Sequence, residues 1–70
     1  MNAYAFATNL RLRRIELGMS QEELGRMVGV ARNTISEYEN SVRYPTIDRV
    51  YDLANALQIP IADLLNPRAI

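Results

Sequence analysis

Apolar residues recur along this chain at the three-to-four spacing of helices, in five stretches separated by glycine, proline or short polar breaks. Phe6, Leu10, Arg14 and Leu17 fall on one stripe and predict a first helix over residues 3–17, with Asn2 as its candidate cap and Gly18 as its end. Arg14 interrupts that stripe, so it requires a partner. Met19 is expected to pack inward before a second helix over 21–28, where Leu24 and Val28 share a face. Ser20 is a good N-cap for it, Glu23 completes a capping box, and Gly29 supplies the left-handed stop. Gly25 costs that helix roughly 1 kcal/mol relative to alanine, but its small size lets the next helix approach closely. A third helix follows from Arg32 to about Asn40, with Val30 and Ile35 spaced as a hydrophobic staple about an Ala31 cap, and Ile35 and Tyr38 pointing inward. Residues 41–45 read as a loop, with Tyr44 extended before Pro45. Thr46 caps a fourth helix whose stripe is Ile47, Val50, Ala54 and Leu57, widened by Tyr51 and Leu53. Pro60 closes it and opens a last short helix over 61–65, ended by Asn66-Pro67. The expectation is a compact all-α domain of five helices, a single domain over residues 1–70 with its core at about 6–65.

If Ile35 and Tyr38 face inward, Arg32, Asn33, Ser36 and Glu37 are left on the outer face of the third helix. Arginine pairs bidentately with guanine, asparagine with adenine, and glutamate accepts from the cytosine amino group. A helix fits the DNA major groove, and its first turns reach furthest in. A polar outer face is equally what any solvated helix shows. On this helix alone the two readings are level.

Composition removes other chemistry. With no histidine and no cysteine there is no disulfide, no thiolate metal site and no imidazole base. Hydrolytic or metal chemistry would rest on carboxylates alone, and none are paired in a suggestive way. No catalytic residue, metal or cofactor is therefore expected, and the chain reads as a non-enzyme. An apolar content of 49% excludes disorder. The longest apolar run falls far short of the roughly 20 residues that cross a bilayer, and the N-terminus lacks the basic start and long apolar core of a signal peptide, so the expectation is cytoplasmic with no membrane. The formal net charge is zero, which at first sight weighs against nucleic acid. All the cations are arginine, however, and Arg11, Arg13 and Arg14 cluster, so a modest basic face is expected. Tyr4, Leu12 and Ile15 lie off the first stripe; they are either scattered exposed apolar groups, the commoner case, or a small partner surface.

The chain resembles the Cro and phage-repressor helix-turn-helix family, also called the XRE family, over about residues 6–65. The resemblance is carried by L-R-x-R-R at 10–14, G-M-S-Q-E-E-L at 18–24, V-G-V at 28–30, R-N-T-I-S-E-Y-E-N at 32–40, P-T-I at 45–47, L-A-N-A-L at 53–57 and I-A-D-L-L at 61–65. It implies a lambda-repressor-like fold. It implies a partly buried salt bridge between Arg14 and Glu39, base reading by Arg32, Asn33 and Glu37 with Ser36 beside them, and phosphate contact by Gln21. Asn40, Arg43 and Tyr44 match the loop that runs along the DNA backbone. Some positions depart from the pattern: Ala31 stands at a cap that is often Ser or Thr, Ser41 and Gln58 stand where glycine is usual, Arg13 stands where leucine is common, and Glu37 places an acid on the face toward DNA.

The function this implies is a sequence-specific DNA-binding transcriptional regulator, a repressor that binds double-stranded DNA at a palindromic operator as a homodimer. Ile59, Ile61, Leu64, Leu65 and Ile70 are the expected dimer surface, although some of them must close the core. The alternative is an antitoxin or adaptor-type module of the same fold, holding a protein partner through the Tyr4, Leu12 and Ile15 face or the C-terminus.

Overall fold

The computed structural model describes residues 3–68. Five helices follow in order: α1 Ala3–Glu16, α2 Gln21–Val28, α3 Arg32–Glu39, α4 Ile47–Leu57 and α5 Ile61–Leu65. The described residues are all-α, as the apolar spacing predicted. α1 packs on α3 and α5, α2 packs on α3 and α4, and α4 packs on α5. Phe6, Leu10, Leu24, Ile35, Leu53, Leu57 and Leu64 are fully buried at the centre, and the rings of Phe6 and Tyr38 meet edge to face at 6.3 Å. Leu17, Met19 and Val30 pack against this cluster from its margin.

Four helices end in the same way. Gly18, Gly29, Ser41 and Gln58 each adopt positive φ, at 70°, 77°, 59° and 60°. In each case the next amide donates to the carbonyl five residues back: Met19 to Arg14 O, Val30 to Gly25 O, Val42 to Glu37 O and Ile59 to Ala54 O, at 2.9–3.1 Å. Met19, Val30 and Ile59 also tuck their side chains against the core, whereas Val42 stays exposed. Gln58, rather than Pro60, therefore terminates α4, and Ser41 carries the turn after α3. Both are L-residues in a conformation that costs them roughly 1–2 kcal/mol and costs glycine nothing.

The exposed ends of the helices also draw side chains from elsewhere in the fold. Asn9 is buried on α1, and its Nδ2 lies 3.2, 3.1 and 2.7 Å from the carbonyls of Asp63, Leu64 and Asn66 at the end of α5. Arg13 Nε donates to Leu57 O at the end of α4 (2.9 Å), and Arg49 Nη1 donates to Val28 O at the end of α2. Carbonyls in a last helical turn have no partner within their own helix, so each bond satisfies a group that burial would otherwise strand. The sequence pointed to none of these three bonds; Arg13 was expected on a basic face, and Asn9 and Arg49 were not singled out. Arg68 joins the chain's end to α1 through paired bonds to Glu16 at 3.0 and 3.1 Å. That hydrogen bond holds the Glu16 carboxyl below its usual range. The tether is therefore complete above the ordinary carboxylate value and is lost as pH falls through the lowered one.

Several expectations are corrected. Ile47 and Tyr51 are more than half exposed and do not belong to the core stripe of α4. Leu64 is fully buried, so it serves the core and offers no side-chain surface to a second protomer. Ile59, Ile61 and Leu65 are half-buried against the core, while Ile70 and the candidate cap Asn2 lie outside the described residues. The arginine cluster of α1 does not form a basic face. Arg13 and Arg14 turn inward onto Leu57 O and Glu39, leaving Arg11 exposed.

Two substitutions test this account by thermal denaturation. Gln58→Gly relieves the left-handed strain and is expected to raise stability by about 0.5–1 kcal/mol. Asn9→Ala strands buried carbonyls at the end of α5 and is expected to cost about 1–3 kcal/mol.

Candidate nucleic-acid interface

The turn between α2 and α3 is set by close backbone contact. A Cβ built on Gly25 would lie 2.6 Å from Val30 O, so only glycine lets the turn fold back over α2. The start of α2 is fixed by its capping box, with Ser20 Oγ accepting from the Glu23 amide at 3.0 Å and Glu23 Oε1 accepting from the Ser20 amide at 3.2 Å. Ala31 caps α3 with no side-chain bond.

One carboxylate sets the position of α3. Arg14 Nε donates to Glu39 Oε2 at 2.6 Å and Arg14 Nη2 to Glu39 Oε1 at 3.0 Å, while Gln21 Nε2 reaches the same Oε1 at 3.2 Å. Arg14 Nη1 also donates to Met19 O at 2.8 Å. α1, α2 and α3 thus converge on this carboxylate, and the α1–α2 turn is tied to it through Arg14. The side chains of Arg14 and Glu39 are 12% and 3% exposed, so the pair is largely withdrawn from water. The bond to Glu39 holds the Arg14 guanidinium above its ordinary pKa, against the opposing effect of burial. With all three donors in place, no buried side-chain polar atom among the described residues lacks a partner.

This frame presents the outer face of α3. Arg32 and Asn33, in its first turn, are exposed, and among the described residues their side chains have neither an ion-pair nor a hydrogen-bond partner. Arg32 also borders an open cleft of ≈ 500 Å³ shared with Arg14, Ser20, Gln21 and Glu22. Ser36 and Glu37 are half-buried one turn further along. Asn40 folds back, its Nδ2 donating to Ser36 O at 2.8 Å, and Arg43 Nε donates to Glu37 Oε1 at 3.0 Å. Tyr44 is 55% exposed in the loop beyond. The structure therefore brings Arg32, Asn33, Ser36, Glu37, Asn40 and Arg43 onto α3 and its following turn, while Gln21 is committed to Glu39.

The charge balance acquires a physical explanation here. Arg13, Arg14, Arg26, Arg43, Arg49 and Arg68 all pair with carboxylates of this chain. Among the described residues, Arg11 and Arg32 are the arginines left without such a pair. A zero sum therefore conceals one unpaired cation at the start of α3.

A helix-turn-helix family profile matches residues 10–64, a span that contains α2, α3 and their turn. The chain belongs to the XRE-type helix-turn-helix family. Over 61 residues it is 34% identical to the cryptic phage CTXphi transcriptional repressor RstR of Vibrio cholerae, covering 87% of this chain and 55% of that protein. Its fold is similar to that of a hypothetical transcription factor from Neisseria, with a TM-score of 0.88, 34% identity, and 93% of this chain and 75% of that one covered. It is also similar to the c2 repressor of Salmonella phage P22 solved in complex with a synthetic operator, with a TM-score of 0.84, 35% identity, and 90% and 96% of the two chains covered. The fold is thus the lambda-repressor-like one that the resemblance implied. The chain spans about half the length of the curated relatives it matches.

Glu39→Ala tests the frame, because it leaves the Arg14 guanidinium buried and unpaired. A loss of about 3–5 kcal/mol is expected, read as a fall in the melting midpoint.

Proposed function

We propose that this chain is a sequence-specific DNA-binding transcriptional regulator of the repressor type, and that it acts by binding rather than by catalysis. The observation that carries the reading is the pair of exposed side chains, Arg32 and Asn33, without partners among the described residues, at the first turn of a helix whose last turn is anchored by the buried Arg14–Glu39 pair. Helix α3 enters the major groove of double-stranded DNA, where Arg32 and Asn33 meet base edges and Ser36 and Glu37 lie alongside. Gln21, at the start of α2, lies beside free helical amides suited to a phosphate, and Asn40, Arg43 and Tyr44 follow the backbone. One such surface reads only a few base pairs. The working form is accordingly a homodimer on a palindromic site, with half-sites about 10 bp, or roughly 34 Å, apart. Ile59, Ile61 and Leu65, partly exposed at the α4–α5 end, supply its contact.

A second reading is a protein-interaction module of the antitoxin or adaptor type. It is favoured by a specific feature: Tyr4, Leu12 and Ile15 are 78%, 41% and 53% exposed on α1. Tyr4 and Leu12 line an apolar groove with Thr8 and Pro67.

Selection of duplexes from a randomised library distinguishes the two readings and reports motif, symmetry and spacing together. Against the selected duplex, Arg32→Ala and Asn33→Ala are each expected to lose about 1–3 kcal/mol of binding free energy, with the melting midpoint nearly unchanged. Recovery of no motif, with both variants binding as the parent does, would leave the interaction module as the better reading.

A further inference from the structure

Glu37 is an odd residue for a surface that meets a polyanion. The structure shows what it does in the free protein. Its main-chain carbonyl accepts from the amides of Val42 and Arg43 at 2.9 and 3.3 Å, and its side-chain carboxylate accepts from Arg43 Nε at 3.0 Å. The left-handed turn at Ser41 folds the loop back to make this possible. Arg43 is thus held by Glu37 through both its backbone and its guanidinium. The two side chains are 59% and 37% exposed, so water and other partners reach the pair. An ion pair this exposed is weak enough to exchange.

We propose that the Glu37–Arg43 pair is an internal competitor for DNA that makes one phosphate contact conditional on one base. The inference rests on the DNA-binding reading above. A cytosine amino group placed under Glu37 supplies the carboxylate with a new donor. Arg43 is then released to a neighbouring phosphate. On any other base, releasing Arg43 would leave a bare carboxylate in the groove among phosphates, so the internal pair persists and the arginine stays occupied. Glu37 therefore suppresses non-specific binding as well as reading a base, and Arg43 contributes its charge on cognate sequence alone. A surface lysine or arginine without such a partner would add affinity to every sequence alike.

The test measures the salt dependence of binding for two 20-bp duplexes, one selected by the parent protein and one of random sequence. Each phosphate contact contributes a slope of roughly 0.9 in log–log form, about 3.5-fold in affinity between 50 and 200 mM salt. Arg43→Gln is expected to reduce the slope by about that amount on the selected duplex and to leave the random duplex unchanged. Glu37→Gln is expected to steepen the slope on the random duplex by a similar amount, and Glu37→Gln combined with Arg43→Gln to abolish that gain. Thermal melting of each variant verifies that the fold is kept. The proposal is overturned if Arg43→Gln lowers both slopes equally, or if Glu37→Gln leaves the random duplex unaffected. Should the parent select no duplex and Arg32→Ala also be silent, the DNA-binding reading falls and this one with it. Sensitivity to Arg32→Ala without coupling between Glu37 and Arg43 would overturn the present proposal alone.

Discussion

Three helices of this small chain are held to one another at the Glu39 carboxylate. Arg14 arrives from α1, Gln21 from α2, and the carboxylate itself stands at the last turn of α3. Taking two charges out of water is costly, and a buried pair of this kind returns little net stability compared with a well-packed apolar contact. Its value lies in direction. Apolar packing tolerates small slides and rotations, whereas a forked guanidinium on a carboxylate admits one geometry. The tilt of α3 against α1, and with it the aim of Arg32 and Asn33, follows from that geometry. A chain of 70 residues buries only roughly 60% of its unfolded surface, so it has little apolar area with which to hold the same orientation by packing alone.

The same economy governs the rest of the polar groups. The helices are short, so a large share of their backbone lies in first and last turns, where carbonyls and amides lack partners within the helix. Ser20 and Thr46 serve amides in their own helices. The carbonyl ends are served from a distance, by Asn9 for α5, Arg13 for α4 and Arg49 for α2. Arginines that would have formed a basic face are thereby spent inside the fold or against carboxylates. The consequence for the proposed interface is a weak general attraction to DNA and a greater reliance on individual groups. This balance favours discrimination between sequences over tight binding to all of them.

Much of this was legible in the order of residues. Helix positions follow from apolar spacing, and α2 and α4 begin where Ser20 and Thr46 announce them. The need for a partner at Arg14 followed from its place in an apolar stripe, and family resemblance supplied Glu39 as the partner. Asn9 carried the same kind of signal, a polar residue flanked by Phe6 and Leu10 on a buried face, yet its partners are main-chain carbonyls more than fifty positions away. Main-chain groups are the same at every position, so nothing in a side-chain pattern points to them. Ile47 and Tyr51 misled for the opposite reason. They keep helical spacing, but spacing states which residues share a face and leaves open how wide a strip the neighbouring helices cover.

What the sequence alone determined is therefore local: five helices, the N-caps Ser20, Ala31 and Thr46, the glycines at Gly18 and Gly29, and the polar identity of the outer face of α3. These depend on interactions within about five residues, which the linear order contains. Tertiary structure decided which charges remain free. Of the cations near the proposed interface, Arg14 is buried, Arg43 is paired with Glu37, and Arg32 has no partner among the described residues. Such pairings depend on which side chains the packing of α1 through α5 brings within hydrogen-bonding reach, and composition supplies only their sum.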